Sequence, residues 1–248
     1  MNINLKNFTY SRYVDIDLSI DMLRNYTKNK DYTFMVSHNE LIKDDLKDFE
    51  NVKKISAVID ILEDDDLQLM KCHSTTRNEI RRTFKSNDFE VFLNPKVDKE
   101  LLNFYNKCEW ERGWIPVPSE ELKASIIIGV KYQGNYIAGM SAYHGREIMR
   151  IARIFSRRKS AEHAEWPQVI FAACSKRVVF EYTKLCRDMG LSALDLGGID
   201  FSSSAKSGIS KYKMSFGSKE KDVRIYRFKG TKFNDLNEEI NKMERDLT

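Results

Sequence analysis

The sequence has little of what metal centres, disulfide frameworks and membrane spans require. Its four cysteines are scattered without a CxxC pair, and its four histidines form no HxxxH or HExxH pattern, so neither a metal site nor a disulfide scaffold is expected. No run approaches the roughly 20 apolar residues of a membrane-spanning helix, and Met1 to Tyr10 lacks the apolar centre of a signal peptide. We therefore expect a cytoplasmic protein with reduced thiols.

What the chain does contain suits an ordinary globular protein. Of its 248 residues, 42% are hydrophobic and 31% are charged, enough for one large domain or two small ones. The net charge of +4 is mildly basic and favours anionic partners such as nucleotides or tRNA. It is too small to mark a dedicated nucleic-acid-binding protein.

A meander followed by a long helix is the clearest architectural signal. Trp166-Pro167 opens a helix that ends at Gly190, and a strand is predicted over 191–196. Because strands and helices do not alternate throughout, the order argues against a doubly wound parallel sheet and favours an α+β class. Upstream of the helix, short glycine-bearing turns separate three strand-like runs, 126–132, 136–143 and 147–155.

A basic helix is predicted earlier in the chain. Thr76 and Glu79 have the spacing of a capping box at a helix N-terminus. Arg77, Arg81 and Lys85 recur every four residues and therefore share one face of that helix. Such a face either meets phosphate groups or is simply solvated.

The order of elements resembles that of the GNAT acyltransferases, and this resemblance implies a mixed sheet that splays open where both substrates enter. Acetyl-CoA-dependent members usually carry a Q/RxxGxG/A loop before the long helix. The equivalent segment here, 156–167, contains no glycine, so its backbone is less free to surround a pyrophosphate. An ordinary CoA site is disfavoured, although Arg157, Arg158 and Lys159 offer cations for phosphate in another arrangement.

Three segments resemble the Fem aminoacyltransferases. The run 194–200, LDLGGID, is similar to the family's strand end with a D-x-G-G-like turn, and 208–217, GISKYKMSFG, is similar to its G-x-x-R-F-K-x-x-F-G segment. The basic helix from Arg77 to Lys85 resembles the family's R-x-x-I-R/K-x-x-x-K segment. Together the likeness runs from about Thr76 to Phe228.

This likeness implies a division into two regions and a reaction class. Residues 73–248 are expected to form a GNAT-like, Fem-like acyltransferase domain with a splayed mixed sheet flanked by helices, and residues 1–72 a partial or degenerate GNAT-like half packed on it. The implied reaction moves an acyl or aminoacyl group onto an amine of a sugar-nucleotide, a cell-envelope precursor or a polysaccharide precursor. The donor is either aminoacyl-tRNA or acyl-CoA, and no metal cofactor is expected.

Departures from the Fem pattern affect the substrates. Lys211 stands where the family usually has Arg, Tyr212 where it has Phe, and Ser215 where Gly is common. Lysine keeps the charge but loses the bidentate fork that arginine offers a diphosphate. Fem enzymes are also longer, with two GNAT-like halves, so shorter relatives linked to polysaccharide or amino-sugar modification are a nearer match. Two alternatives stay open: an acetyl-CoA-dependent N-acetyltransferase with an atypical phosphate loop, and a non-catalytic ligand-binding protein on this fold.

Acyl transfer to an amine requires a neutral nucleophile, a carbonyl held nearby and a group that stabilises the oxyanion. By resemblance Lys213 matches the family's lysine near the transferred acyl group and is the first candidate for that electrostatic role; the alternative is a surface lysine in a basic loop. Asp195 is expected to orient the acceptor amine or to take its proton. The remaining candidates are expected to bind substrate or to shape turns: Arg77, Arg81, Lys211, Tyr212, Gly197, Gly198, Phe216 and Gly217.

Overall fold

The computed structural model describes residues 1–4, 9–15, 20–38, 49–113, 116–157 and 166–230. The strands within these ranges are β1 Asn2–Asn4, β2 Thr9–Asp15, β3 Tyr32–Ser37, β4 Phe49–Asp60, β5 Phe89–Leu93, β6 Ile126–Tyr132, β7 Asn135–His144, β8 Ile148–Ser156, β9 Ala193–Gly198 and β10 Lys219–Lys229. The helices are α1 Ile20–Thr27, α2 Asp65–Lys71, α3 Ser74–Thr83, α4 Lys99–Trp110, α5 Ser119–Ala124, α6 Gln168–Asp188 and α7 Ser204–Met214.

All the described strands join one mixed sheet in the order β1-β2-β3-β10-β4-β9-β8-β7-β6-β5. The pairs β2–β3 and β8–β9 are parallel, and the other neighbours are antiparallel. The helix α6 packs on one face of the meander and contributes Phe171, Cys174 and Val179 to the main core. The predicted α+β class, with a mixed sheet flanked by helices, is confirmed.

The sheet opens between β8 and β9. These strands pair at three positions, Ile148 with Ala193, Met149 with Leu194, and Arg150 with Asp195. Both strands continue beyond that point, β8 to Ser156 and β9 to Gly198. The divergence of the two strands after Arg150 and Asp195 is the splay expected of a GNAT-like sheet.

Local sequence patterns predicted the bounds of the meander strands and of the long helix accurately. The three predicted strand runs match β6, β7 and β8 to within one residue at each end. The helix α6 follows directly after Pro167, and Gly190 beyond its end has a φ of 69°. That positive φ is the left-handed conformation in which glycine commonly terminates a helix.

One local prediction was wrong, and one alternative does not hold. The capping box does not form, because α3 begins at Ser74 and the Thr76 hydroxyl donates to Ser215 Oγ at 2.9 Å. The segment 208–217 is not a basic loop, since most of it belongs to α7, whose first turn is capped by the Ser203 hydroxyl. A tertiary contact in the first case and helix packing in the second overrode the local pattern.

The N-terminal region contributes strands to the sheet. Residues before 61 supply β1 to β4 and α1, and β4 lies between β9 and β10 in the sheet. The division at residue 72 stays a prediction, although strands from both sides of it are hydrogen-bonded neighbours. Within the described ranges no helix has the length and apolar character needed to cross a membrane.

Candidate active site

A buried ion pair lies at the point where the sheet opens. Arg150 of β8 and Asp195 of β9 are direct partners in the parallel pair, so their side chains project from the same face. Asp195 is completely buried and Arg150 nearly so. The Arg150 guanidinium donates to the Asp195 carboxylate and also, at 3.3 Å, to the hydroxyl of Ser56 on β4. The splay is therefore lined by a fixed cation.

Three groups hold the carboxylate of Asp195. Arg150 and the Nε2 of His38 both contact Oδ2, the latter at 2.9 Å, and the backbone N–H of Gly197 donates to Oδ1 at 2.7 Å. Burial alone would raise the pKa of Asp195, but the Arg150 charge and the two hydrogen bonds outweigh it and lower the pKa to about 2. The carboxylate is therefore ionised at neutral pH and is a very weak base.

Lys213 reaches the same place from α7. Its side chain is buried, and its ammonium donates to the carbonyl oxygen of Gly198 at 2.7 Å. Burial and the nearby charge of Arg150 lower the pKa of Lys213 to about 8, while Asp195 acts in the opposite direction. The amine is thus mostly protonated at pH 7, and it loses its charge at a much lower pH than an exposed lysine would.

Gly197 places a backbone position without a side chain close to both cations. Its φ of 84° lies in the left-handed region that favours glycine. A Cβ built on Gly197 would lie 3.5 Å from Lys213 Nζ and 3.8 Å from Arg150 Nη2. Two cations facing one small space beside the backbone form an arrangement suited to negative charge on a substrate oxygen.

Other predicted site residues on or after α7 take part in packing. The hydroxyl of Tyr212 donates to the carbonyl of Ser175 on α6 at 3.0 Å, and its ring meets Phe216 edge-on. Phe216 is buried in the main core. Gly217 has a φ of 73°, and a Cβ there would lie 2.4 Å from the carbonyl oxygen of Lys71. These contacts anchor the helix that carries the catalytic candidate Lys213.

The predicted basic residues are not brought together with Lys213 by any contact among the described residues. Arg77 donates to the carbonyl of Met70 at 3.4 Å, while Arg81 and Lys211 are exposed on α3 and α7. Arg157 donates through Nε to the carbonyl of Tyr136 at 2.6 Å. The neighbouring segment 158–165, for which phosphate contacts were considered, lies outside the described residues. A substrate-binding role for these cations stays a prediction.

Two members of the cluster escaped sequence reasoning. Arg150 had a weak signal, since a charged residue in an otherwise apolar strand is unusual at a buried position. His38 had none, because it follows β3 in a region without motifs and meets Asp195 across 157 residues of chain. Within the described ranges no three or more histidine, cysteine, aspartate or glutamate side chains are arranged to hold a metal ion.

The fold indicates which class of protein this structure resembles. A splayed mixed sheet flanked by helices is a GNAT-like, Fem-like fold. No family model matches the chain, and no curated protein matches it in sequence.

Solved structures do share the fold. FemX is 14% identical, with a TM-score of 0.55 over 85% of this chain and 70% of FemX. L-PGS from Bacillus licheniformis is 13% identical, with a TM-score of 0.53 over 88% of this chain and 78% of that one. The C-terminal domain of a putative lysylphosphatidylglycerol synthetase from Agrobacterium fabrum is 11% identical, with a TM-score of 0.54 over 92% and 79%. Identities this low show common architecture and leave the chemistry to the site.

Proposed function

We propose that this protein is an acyltransferase that moves an acyl or aminoacyl group onto an amine. The observation that carries the proposal is the pair of cations, Lys213 and Arg150, that lie close to the backbone of Gly197 where the pairing of β8 with β9 ends. The fold shared with FemX and with the domain of a putative lysylphosphatidylglycerol synthetase supports the proposal. The name of the second protein describes the attachment of a lysyl group, which is an aminoacyl transfer.

In the proposed reaction the carbonyl oxygen of the donor occupies the space beside Gly197. Negative charge develops on that oxygen as the amine attacks, and the two cations stabilise the charge where water is largely excluded. Neither cation has to reorganise, since Asp195 holds Arg150 and the carbonyl of Gly198 holds Lys213. We assign Asp195 the role of positioning Arg150, because a carboxylate with a pKa of about 2 is a poor proton acceptor.

The substrates follow from the resemblance to the Fem family. The donor is aminoacyl-tRNA or acyl-CoA, and the acceptor is an amine on a sugar-nucleotide, a cell-envelope precursor or a polysaccharide precursor. The mild positive charge of the chain suits any of these anionic molecules. The glycine-free segment 156–167 favours aminoacyl-tRNA over acyl-CoA.

Calorimetric titration with acetyl-CoA separates the two donors. Saturable micromolar binding would identify acyl-CoA as the donor, and absence of binding would favour aminoacyl-tRNA. Each donor is then incubated with the protein and amine acceptors, and transfer of a radiolabelled acyl group is measured.

The matched variants for that assay are Lys213→Met and Lys206→Met, both on α7. Loss of one oxyanion-stabilising cation is expected to lower the rate about 10² to 10³-fold for Lys213→Met. Lys206 is 61% exposed and pairs with Asp200, so its variant should behave like the wild type. Wild-type transfer by Lys213→Met would refute the mechanism. Donor or acceptor binding by the wild-type protein without any transfer would identify a binding protein.

A further inference from the structure

His38 has one ring nitrogen that the fold leaves unused. Its side chain is only 3% exposed, and Nε2 lies 2.9 Å from the Asp195 carboxylate. The other nitrogen, Nδ1, is buried and has no hydrogen-bond partner among the described residues. An unpaired buried polar atom costs on the order of 1–3 kcal/mol, so its retention calls for a function.

The contact with Asp195 determines which nitrogen carries the proton. Asp195 is ionised and only accepts hydrogen bonds, so Nε2 must donate to it. In the neutral ring Nδ1 then holds a free lone pair. A carboxylate that orients an imidazole in this way also stabilises the imidazolium that forms when the free nitrogen takes a proton.

We propose that His38 is the general base of the transfer reaction and acts through Nδ1 on the acceptor amine. This inference rests on the proposed function. His38 and Arg150 contact the same carboxylate oxygen of Asp195, so one anchor holds the base and one of the two cations that face Gly197. The proposed acceptor is an amine that attacks in its neutral form.

The proton and electron balance is complete without a co-reactant. The amine nitrogen forms a bond to the carbonyl carbon, and the carbonyl π electrons move to the oxygen facing Arg150 and Lys213. A proton leaves the nitrogen for Nδ1 of His38. The carbonyl then re-forms, the bond to the leaving oxygen or sulfur breaks, and the proton passes from Nδ1 to that atom.

The decisive variant is His38→Gln. A glutamine amide can still donate to Asp195 but has no basic nitrogen, so the turnover number should fall about 10² to 10⁴-fold with little change in donor KM. His144→Gln is the control, since His144 is exposed at the end of β7. Should His38→Gln fold poorly in circular dichroism, His38→Ala with added imidazole replaces it, and rescue of turnover is expected. Wild-type turnover by His38→Gln, or no rescue of a folded His38→Ala, would overturn the proposal.

A second measurement does not depend on activity. The chain has four histidines, so ¹⁵N imidazole spectra of the wild type and of His38→Gln identify the His38 signals. In the neutral ring we expect the proton on Nε2, which faces Asp195, and a free lone pair on Nδ1. A proton on Nδ1 would reject His38 as the base even if transfer is observed. Absence of transfer by the wild-type protein would refute the proposed acyltransferase function and, with it, the role of His38, whereas transfer that is unchanged in a folded His38→Gln would refute the role of His38 alone.

Discussion

Replacement of Asp195 by asparagine tests the electrostatic core of the site. Asparagine has nearly the same shape but leaves the buried guanidinium of Arg150 without its counter-charge. The fall of the Asp195 pKa from 3.8 to about 2 corresponds to about 2 kcal/mol of stabilisation of the charged carboxylate. Breaking a buried ion pair from one side typically costs about 3–5 kcal/mol, because the remaining charge stays desolvated. We therefore expect a loss of about 3 kcal/mol in the free energy of unfolding.

Urea unfolding monitored by circular dichroism measures this loss. The control is Asp222→Asn, since Asp222 is 48% exposed and pairs with Lys53 at 2.8 Å on the surface. That change is expected to cost less than about 1 kcal/mol. The double variant Arg150→Met/Asp195→Asn should recover part of the loss, because it removes the unpaired cation as well. If Asp195→Asn costs no more than Asp222→Asn, the buried pair does not have the energetic role described.

Three further outcomes follow from the same cluster. The transfer rate of the wild type should decline as the pH rises through about 8, where Lys213 loses its proton. Lys213→Arg should lack that decline because arginine stays charged. An identical decline in both proteins would assign the titration to another group. Gly197→Ala should lower the transfer rate at least tenfold. The control Gly134→Ala, also at a positive φ but with open space around it, should only lower the free energy of unfolding, by about 1 kcal/mol. Equal activity of the two variants would contradict binding of the substrate oxygen beside Gly197. The contribution of Asp195 to stability is fully present above its unfolded pKa of 3.8 and is lost as the pH falls through about 2. Thermal melts in acid should therefore show a smaller loss of melting temperature in Asp195→Asn than in the wild type, and matching profiles would argue against this contribution.

The design of the site explains why a buried lysine is tolerated. The ammonium of Lys213 donates to the carbonyl of Gly198, and the negative charge of Asp195, which also contacts Arg150 and His38, raises the pKa of Lys213. Burial weakens its hold on the proton while the geometry keeps it beside the space where substrate charge would form. The same burial that costs stability strengthens the interaction with a developing oxyanion.

Local sequence was sufficient where local chemistry decides structure. Glycine-bearing turns between β-rich runs identified the meander, and Pro167 and Gly190 bounded α6, because turn and cap preferences depend on a few neighbouring residues. The helix α7 was missed because Ser207, Gly208 and Ser210 are weak helix formers, and packing of Tyr212 against α6 overrides that propensity.

The sequence by itself also gave Asp195 and Lys213 as catalytic candidates, because they lie in short segments that resemble the Fem pattern and follow its order along the chain. Only the tertiary structure brought Arg150 and His38 to them, over separations of 45 and 157 residues from Asp195. No local spacing records such contacts, since they depend on which strands become neighbours in the sheet. The same pairing leaves β8 and β9 apart beyond Arg150, and that divergence creates the opening on which the proposed chemistry depends.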